Sequence, residues 1–200
     1  CIIRNGWLAY GEPAGVPTWV VALKNEKQIF TSTDDGVTWG VPVETSGEPL
    51  KLAYGGGRFL LGYNGGNDSF ISTNGVTWSA GGSLTGGGGY PGGSTYGNGQ
   101  FVIPVGQSSD VCTSADGASF NCTSNALLND GGDRQWQDIA FGSGILVGAV
   151  ENGASSTNGI QLQRSTDAIT WQAPTSGLSN RVSGVAFGDG FFVAESFGSS

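Results

Sequence analysis

The residues best suited to chemistry in this chain are carboxylates and hydroxyls set two apart in short turns. In STDDGVTW, residues 32–39, Ser32 stands two residues before Asp34, with Gly36 and Trp39 following. A pair of carboxylates can supply the acid and base of glycoside hydrolysis. A Ser and an Asp at this spacing also bond the backbone N–H groups of their own turn. Arg4, Arg134 and Arg181 form a second set, because guanidinium groups hold a carboxylate bidentately. The chain has no His, which removes His-based triads and imidazole metal ligands. GGGGYPGG, which contains Tyr90, lacks the GK[ST] of a phosphate loop. NDGGD at 129–133 lacks the remaining ligands of a calcium loop. No catalytic residue, cofactor or metal is assigned.

What positions these residues is a repeat. The acidic turn returns as STNGVTW at 72–78, SADGASF at 114–120 and STDAITW at 165–171, the first serines lying 40, 42 and 51 residues apart. A second motif alternates with it: LAYGGGRFL at 52–60, STYGNGQFV at 94–102, IAFGSGILV at 139–147 and VAFGDGFFV at 185–193. LAYGEPAGVPTWVV, from Leu8 to Val21, is a further copy with a longer, proline-containing loop. The units run approximately over 1–47, 48–88, 89–132, 133–177 and an incomplete 178–200.

Short alternating runs of aromatic and β-branched residues, punctuated by Gly and Asn-Gly, predict antiparallel strands joined by hairpins. Each complete unit reads as four strands. A lone sheet with large apolar residues on both faces cannot bury them, and a period of about 40–50 residues suits radial stacking of four-stranded blades into a propeller. The fold class is therefore all-β: a β-propeller of four complete blades plus half of a fifth. Tyr10, Tyr54, Tyr96, Phe141 and Phe187 fall on the innermost strands, as core. The strand count predicts a piece of a longer propeller of six to eight blades, or closure against another chain.

The turn resembles the Asp-box of the BNR repeat, S-x-D-x-G-x-x-W, found in sialidases, sortilin-like domains and secreted glycosidases. Ser32, Asp34, Gly36 and Trp39 match every defined position. Ser72 and Trp78, Ser114, Asp116 and Phe120, and Ser165, Asp167 and Trp171 carry the shorter copies, with Asn74, Phe120 and Ala168 as departures. The resemblance implies a structural turn between the third and fourth strands, on the face away from any ligand; Trp39 itself is expected to drop into the blade stack and anchor the turn to the core. Ligand-face candidates are then Arg4, Arg134, Arg181, Tyr90, Trp136 and Glu151. The arginines are similar to the sialidase triad, yet no nucleophile pair accompanies them.

Eight basic and sixteen acidic residues give a net charge of −8, with no basic face to displace counterions from nucleic acid. No apolar run approaches the roughly 20 residues of a membrane span. Cys112 and Cys122 flank the third turn symmetrically, which sets them opposite each other in a hairpin and predicts a disulfide and an oxidising compartment. Cys1 is left unpaired, or bonded outside this chain. The expected function is non-catalytic recognition or assembly outside the cell, as a secreted, cell-surface or virion protein, binding carbohydrate, protein, further blades or copies of itself. A sialidase-type glycoside hydrolase fragment and a structural subunit of an appendage or virion are the alternatives.

Overall fold

The computed structural model describes residues 6–64, 68–84, 90–106, 108, 110–124, 134–152, 162–173 and 181–197. Arg4 and the segment NDGGD lie outside the described residues. The first sheet joins β1 (Gly6–Gly11), β2 (Thr18–Leu23), β3 (Gln28–Ser32) and β4 (Val43–Glu44), in chain order. The second joins β5 (Glu48–Gly55), β6 (Arg58–Asn64), β7 (Asp68–Ser72) and β8 (Ser79–Ser83). The third joins β9 (Thr95–Gly97), β10 (Gln100–Pro104), β11 (Val111–Ser114) and β12 (Asn121–Thr123). In the fourth, β13 (Arg134–Gly142), β14 (Ile145–Asn152) and β15 (Leu162–Ser165) are followed, among the described residues, by a single bridge between Arg164 and Gln172. The fifth is the pair β16 (Arg181–Gly188) and β17 (Phe191–Phe197).

All strand pairs in these sheets are antiparallel, and the first strands of successive sheets pack side by side: β1 on β5, β5 on β9, β9 on β13 and β13 on β16. This is the propeller arrangement, with four blades and half of a fifth. The tight hairpins between first and second strands place Gly56 and Gly57, Asn98 and Gly99, Ser143 and Gly144, and Asp189 and Gly190 at positive φ. That is the mirror-image two-residue turn, whose twist matches the flanking strands.

One contact joins each blade to the next. The first strand of every blade ends in Gly, and the ring of the following blade's innermost aromatic lies on it: Tyr54 on Gly11, Tyr96 on Gly55, Phe141 on Gly97 and Phe187 on Gly142. A Cβ at any of these glycines would collide with the ring. Three of these aromatics also pair with a ring on their own second strand, Tyr54 with Phe59, Tyr96 with Phe101 and Phe187 with Phe192, at centroid distances of 4.7, 5.0 and 4.8 Å, while Phe141 stands opposite Leu146.

The acidic turns add a second set of links. Trp78 packs against the apolar cluster that holds Val20, Ala22 and Ile29 of the preceding blade, Phe120 against the one that holds Ala53 and Leu60, and Trp171 belongs to the one that holds Val102 and Val111. Trp39 departs from the expected burial. It is 42% exposed, against 4% for Trp171, because no described blade packs over it. Cys112 and Cys122 are bonded across β11 and β12, a short loop worth about 2–3 kcal/mol.

Truncating a turn Trp therefore depends on position. Trp171→Ala should cost about 3–5 kcal/mol, as for a buried aromatic, and Trp39→Ala less than about 1 kcal/mol, both read from urea unfolding.

Candidate functional site

Each acidic turn consumes its own polar groups. The Ser32 hydroxyl donates to Asp34 Oδ1 at 2.7 Å and accepts from the Gly36 N–H at 3.0 Å. Asp34 accepts from the Thr38 hydroxyl at 2.6 Å and the Thr38 N–H at 2.9 Å. These donors, led by the Thr38 hydroxyl, hold its carboxyl down at about 2. Its folded value lies below the ordinary carboxylate range, so its stabilisation is complete above pH about 4 and is lost as pH falls through about 2. Backbone N–H groups of Ala118 and Thr170 likewise lower Asp116 and Asp167. Asn74 does the same work, its Oδ1 accepting from the N–H groups of Val76 and Thr77 at 2.9 and 2.8 Å. An amide oxygen suffices there, so the turn requires an acceptor and not a charge.

The turns also hold neighbouring blades. Thr31 Oγ1 donates to the Gly75 carbonyl at 2.7 Å, an Arg58 guanidinium N–H to Asp116 O at 3.0 Å, and Asn98 Nδ2 to Thr166 O at 3.1 Å. In each case the donor belongs to the blade before. Nothing in this arrangement leaves a carboxylate poised for proton transfer.

A different pair of charges meets at the centre. The first strands of the second, fourth and fifth blades each slip register near their start, between Pro49 and Lys51, Trp136 and Asp138, and Val182 and Gly184. Such bulges re-aim side chains. Lys51 Nζ reaches across from the second blade to the fourth, donating to the Gln137 carbonyl at 2.9 Å and lying 3.9 Å from Asp138 Oδ1. Asp138 Oδ2 accepts the Val185 N–H at 3.1 Å, which ties in the fifth blade. The third blade has Gly93 at the matching position, packed against the Asp138–Ile139 backbone.

Lys51, Gly93, Asp138 and Gly184 each stand three residues before their innermost aromatic. They fall in the half of the strand away from the acidic turns, since Ser72 aligns with Phe59 and Tyr54 at the other end. The side chains of Lys51 and Asp138 keep 18% and 29% of their surface in solvent. Burial pushes the Lys51 ammonium down despite the pull of Asp138. Burial also pushes the Asp138 carboxyl up, outweighing Lys51, with Glu195 adding repulsion. Both shifts run opposite to those of a stabilising ion pair. The charges are held at a cost, as in sites where charge serves binding or chemistry.

Other candidates distribute unevenly. Trp136, expected on a ligand-facing loop, is fully buried, its ring over Gly148 and 4.8 Å from that of Trp171. It is a core residue of the interface between the third and fourth blades. Tyr90 is half-buried, with its ring against Gly106. Arg134 and Arg181 begin β13 and β16, and Glu151 lies in β14 opposite Gln135; their side chains lie outside the described residues.

No family model and no curated protein matches the chain. Similar solved structures exist. A virginiamycin B lyase from Staphylococcus aureus with quinupristin is 18% identical, with TM-score 0.70 over 94% of this chain and 62% of that one. YCF48 bound to D1 peptide is 13% identical, with TM-score 0.63 over 92% of this chain and 56% of that one. A nidogen/laminin complex gives 12% identity and TM-score 0.67 over 94% of this chain and 70% of that one. At these identities the likeness shows the fold. The fold is a β-propeller. The chain spans less than two thirds of the length of the first two of these chains, and its site residues carry no assignment from any of them.

Lys51→Met would leave Asp138 with backbone donors alone and should destabilise the protein by about 1–3 kcal/mol. Lys51→Met with Asp138→Leu should be neutral or more stable than the parent. Guanidinium unfolding of the single and double variants reads both outcomes.

Proposed function

We propose that this protein is a non-catalytic recognition propeller that works outside the cell and binds a segment of another protein at the channel mouth, on the face opposite the acidic turns. The observation that carries the reading is the Lys51–Asp138 pair, brought together from two non-adjacent blades with the ammonium 3.9 Å from the carboxyl oxygen and on the Gln137 carbonyl. A bound segment bringing a carboxylate to Lys51 and N–H or cationic donors to Asp138 would supply the partners that water gives incompletely.

We read the acidic turns as Asp-boxes of BNR type, because a serine hydroxyl donating to the Oδ1 two residues on recurs in all four copies, a carboxylate in three and the Asn74 amide in the fourth. Two of the similar structures, YCF48 with D1 peptide and nidogen with laminin, contain a peptide or protein partner, which favours protein over carbohydrate here. The Cys112–Cys122 bridge favours an oxidising compartment.

The test presents the protein to a displayed random-peptide library and to a glycan array in parallel. Peptide ligands are expected, with binding weakened about tenfold or more by Lys51→Gln and by Asp138→Asn, roughly the loss of one charge-assisted contact. Val37→Ser, on the acidic-turn face, should leave binding unchanged. Binding confined to glycans, or peptides indifferent to both channel substitutions, would contradict the proposal.

A further inference from the structure

The pair of charges at the channel mouth borders a gap between the fourth and fifth blades. Gly184 stands in the fifth blade where Lys51 and Asp138 stand in theirs, three residues before the innermost aromatic, and it pairs with Glu195 across β16 and β17. The space its missing side chain leaves is edged by two carboxylates. The nearest atoms to a Cβ built there are Glu195 Oε2 at 3.4 Å, Glu195 Cβ at 3.7 Å and Asp138 Oδ2 at 3.8 Å. A methyl group would meet all three at ordinary contact distance, so packing does not demand glycine here as it does at Gly11, Gly55, Gly97 and Gly142.

The two oxygens of Asp138 have different surroundings. Oδ1 lies 3.9 Å from the Lys51 ammonium, beyond hydrogen-bond range, and that ammonium donates to the Gln137 carbonyl at 2.9 Å. Oδ2 accepts the Val185 N–H at 3.1 Å and faces the gap, with Glu195 on its border. Burial raises the Asp138 carboxyl, Lys51 pulls it down, and Glu195 pushes it further up. A cation in the gap would offset both of the unfavourable influences.

We propose that the gap at Gly184 sets the specificity of the channel mouth by taking one cationic side chain of the bound segment, a Lys or an Arg, between Asp138 Oδ2 and Glu195 Oε2. The inference rests on the channel-mouth reading above and adds which residue of the segment is recognised. The molecule already holds one ammonium at this carboxylate, since Lys51 stands beside Oδ1, and the incoming cation takes the same relation to Oδ2. Two oxygens within 4 Å of one point suit a group with several N–H donors. Lys51 is left for a carboxylate of the segment. The mouth thus offers two subsites of opposite charge, which fix the direction in which a segment lies.

The test compares two displayed peptide libraries, one fully random and one without Lys and Arg, each carried behind the same leader sequence. Binders are expected from the first library alone, each with a Lys or Arg whose replacement by Gln weakens binding about tenfold or more. Glu195→Gln should weaken the same peptides about tenfold, with the fold unchanged by circular dichroism because Glu195 is exposed. Gly184→Val, which fills the gap, should weaken them at least as much. Peptides that need Lys51 and Asp138 yet tolerate both of these substitutions would overturn the gap and leave the channel-mouth reading standing, and so would equal recovery of such peptides from the library without cations. Failure of the folded protein to bind peptides from either library would overturn both.

Discussion

An aromatic ring lying flat on a glycine is the contact on which the rest of this structure depends. Neighbouring blades can approach at their inner edges only where the first strand ends without a side chain, and Gly11, Gly55, Gly97 and Gly142 each provide that gap. The ring that fills it is backed by an apolar side chain on its own second strand, as Phe59 backs Tyr54, Phe101 backs Tyr96 and Leu146 stands opposite Phe141. Once the inner edges are fixed, the apolar faces of the sheets meet at defined register, burying Phe59, Phe101 and Leu146. The acidic turns then fasten the outer edges, with a hydrogen bond from one blade to the turn of the next.

The same geometry explains where charge is affordable. Polar atoms in the turns are satisfied locally, and Asp34 is so well supplied with donors that it resists protonation down to about pH 2. At the centre the supply is poorer. Lys51 and Asp138 are both shifted toward their neutral forms, and the bulges that bring them together also interrupt the ladders of β5 and β13. A fold selected for stability alone would place apolar side chains at this point, as the first blade does with Trp7.

Much of the architecture was legible in the sequence because it is periodic. Gly-containing hairpins and the turn motif recur at matching intervals, and a period-2 pattern can only be a strand when the turns are so close. The exposure of Trp39 has no signature in its motif, because the motif specifies its own turn and not whether a neighbouring blade covers it. The Gly- and Asn-rich stretch before Trp136 points to a loop, yet the residue lies in β13 and its ring packs over Gly148. Lys51 and Asp138 carry a weak signal in the sequence. Aligning the repeats on Tyr54, Tyr96, Phe141 and Phe187 gives Lys, Gly, Asp and Gly three positions earlier. Opposite charges with a glycine between them in one column of a repeat point to a contact across the axis. The bulges that turn both side chains to the same place have no such signature.

The aromatic-on-glycine account is tested most directly by a double-mutant cycle on Gly55 and Tyr96, measured by denaturant unfolding. Gly55→Ala alone should destabilise by about 1–3 kcal/mol, because the added methyl strikes the ring. In a Tyr96→Ala background the same substitution should cost close to nothing, so that the two changes couple by roughly 1 kcal/mol or more. Additivity within about 0.5 kcal/mol would contradict the account, since it would show that the glycine is present for some reason other than the ring that lies on it.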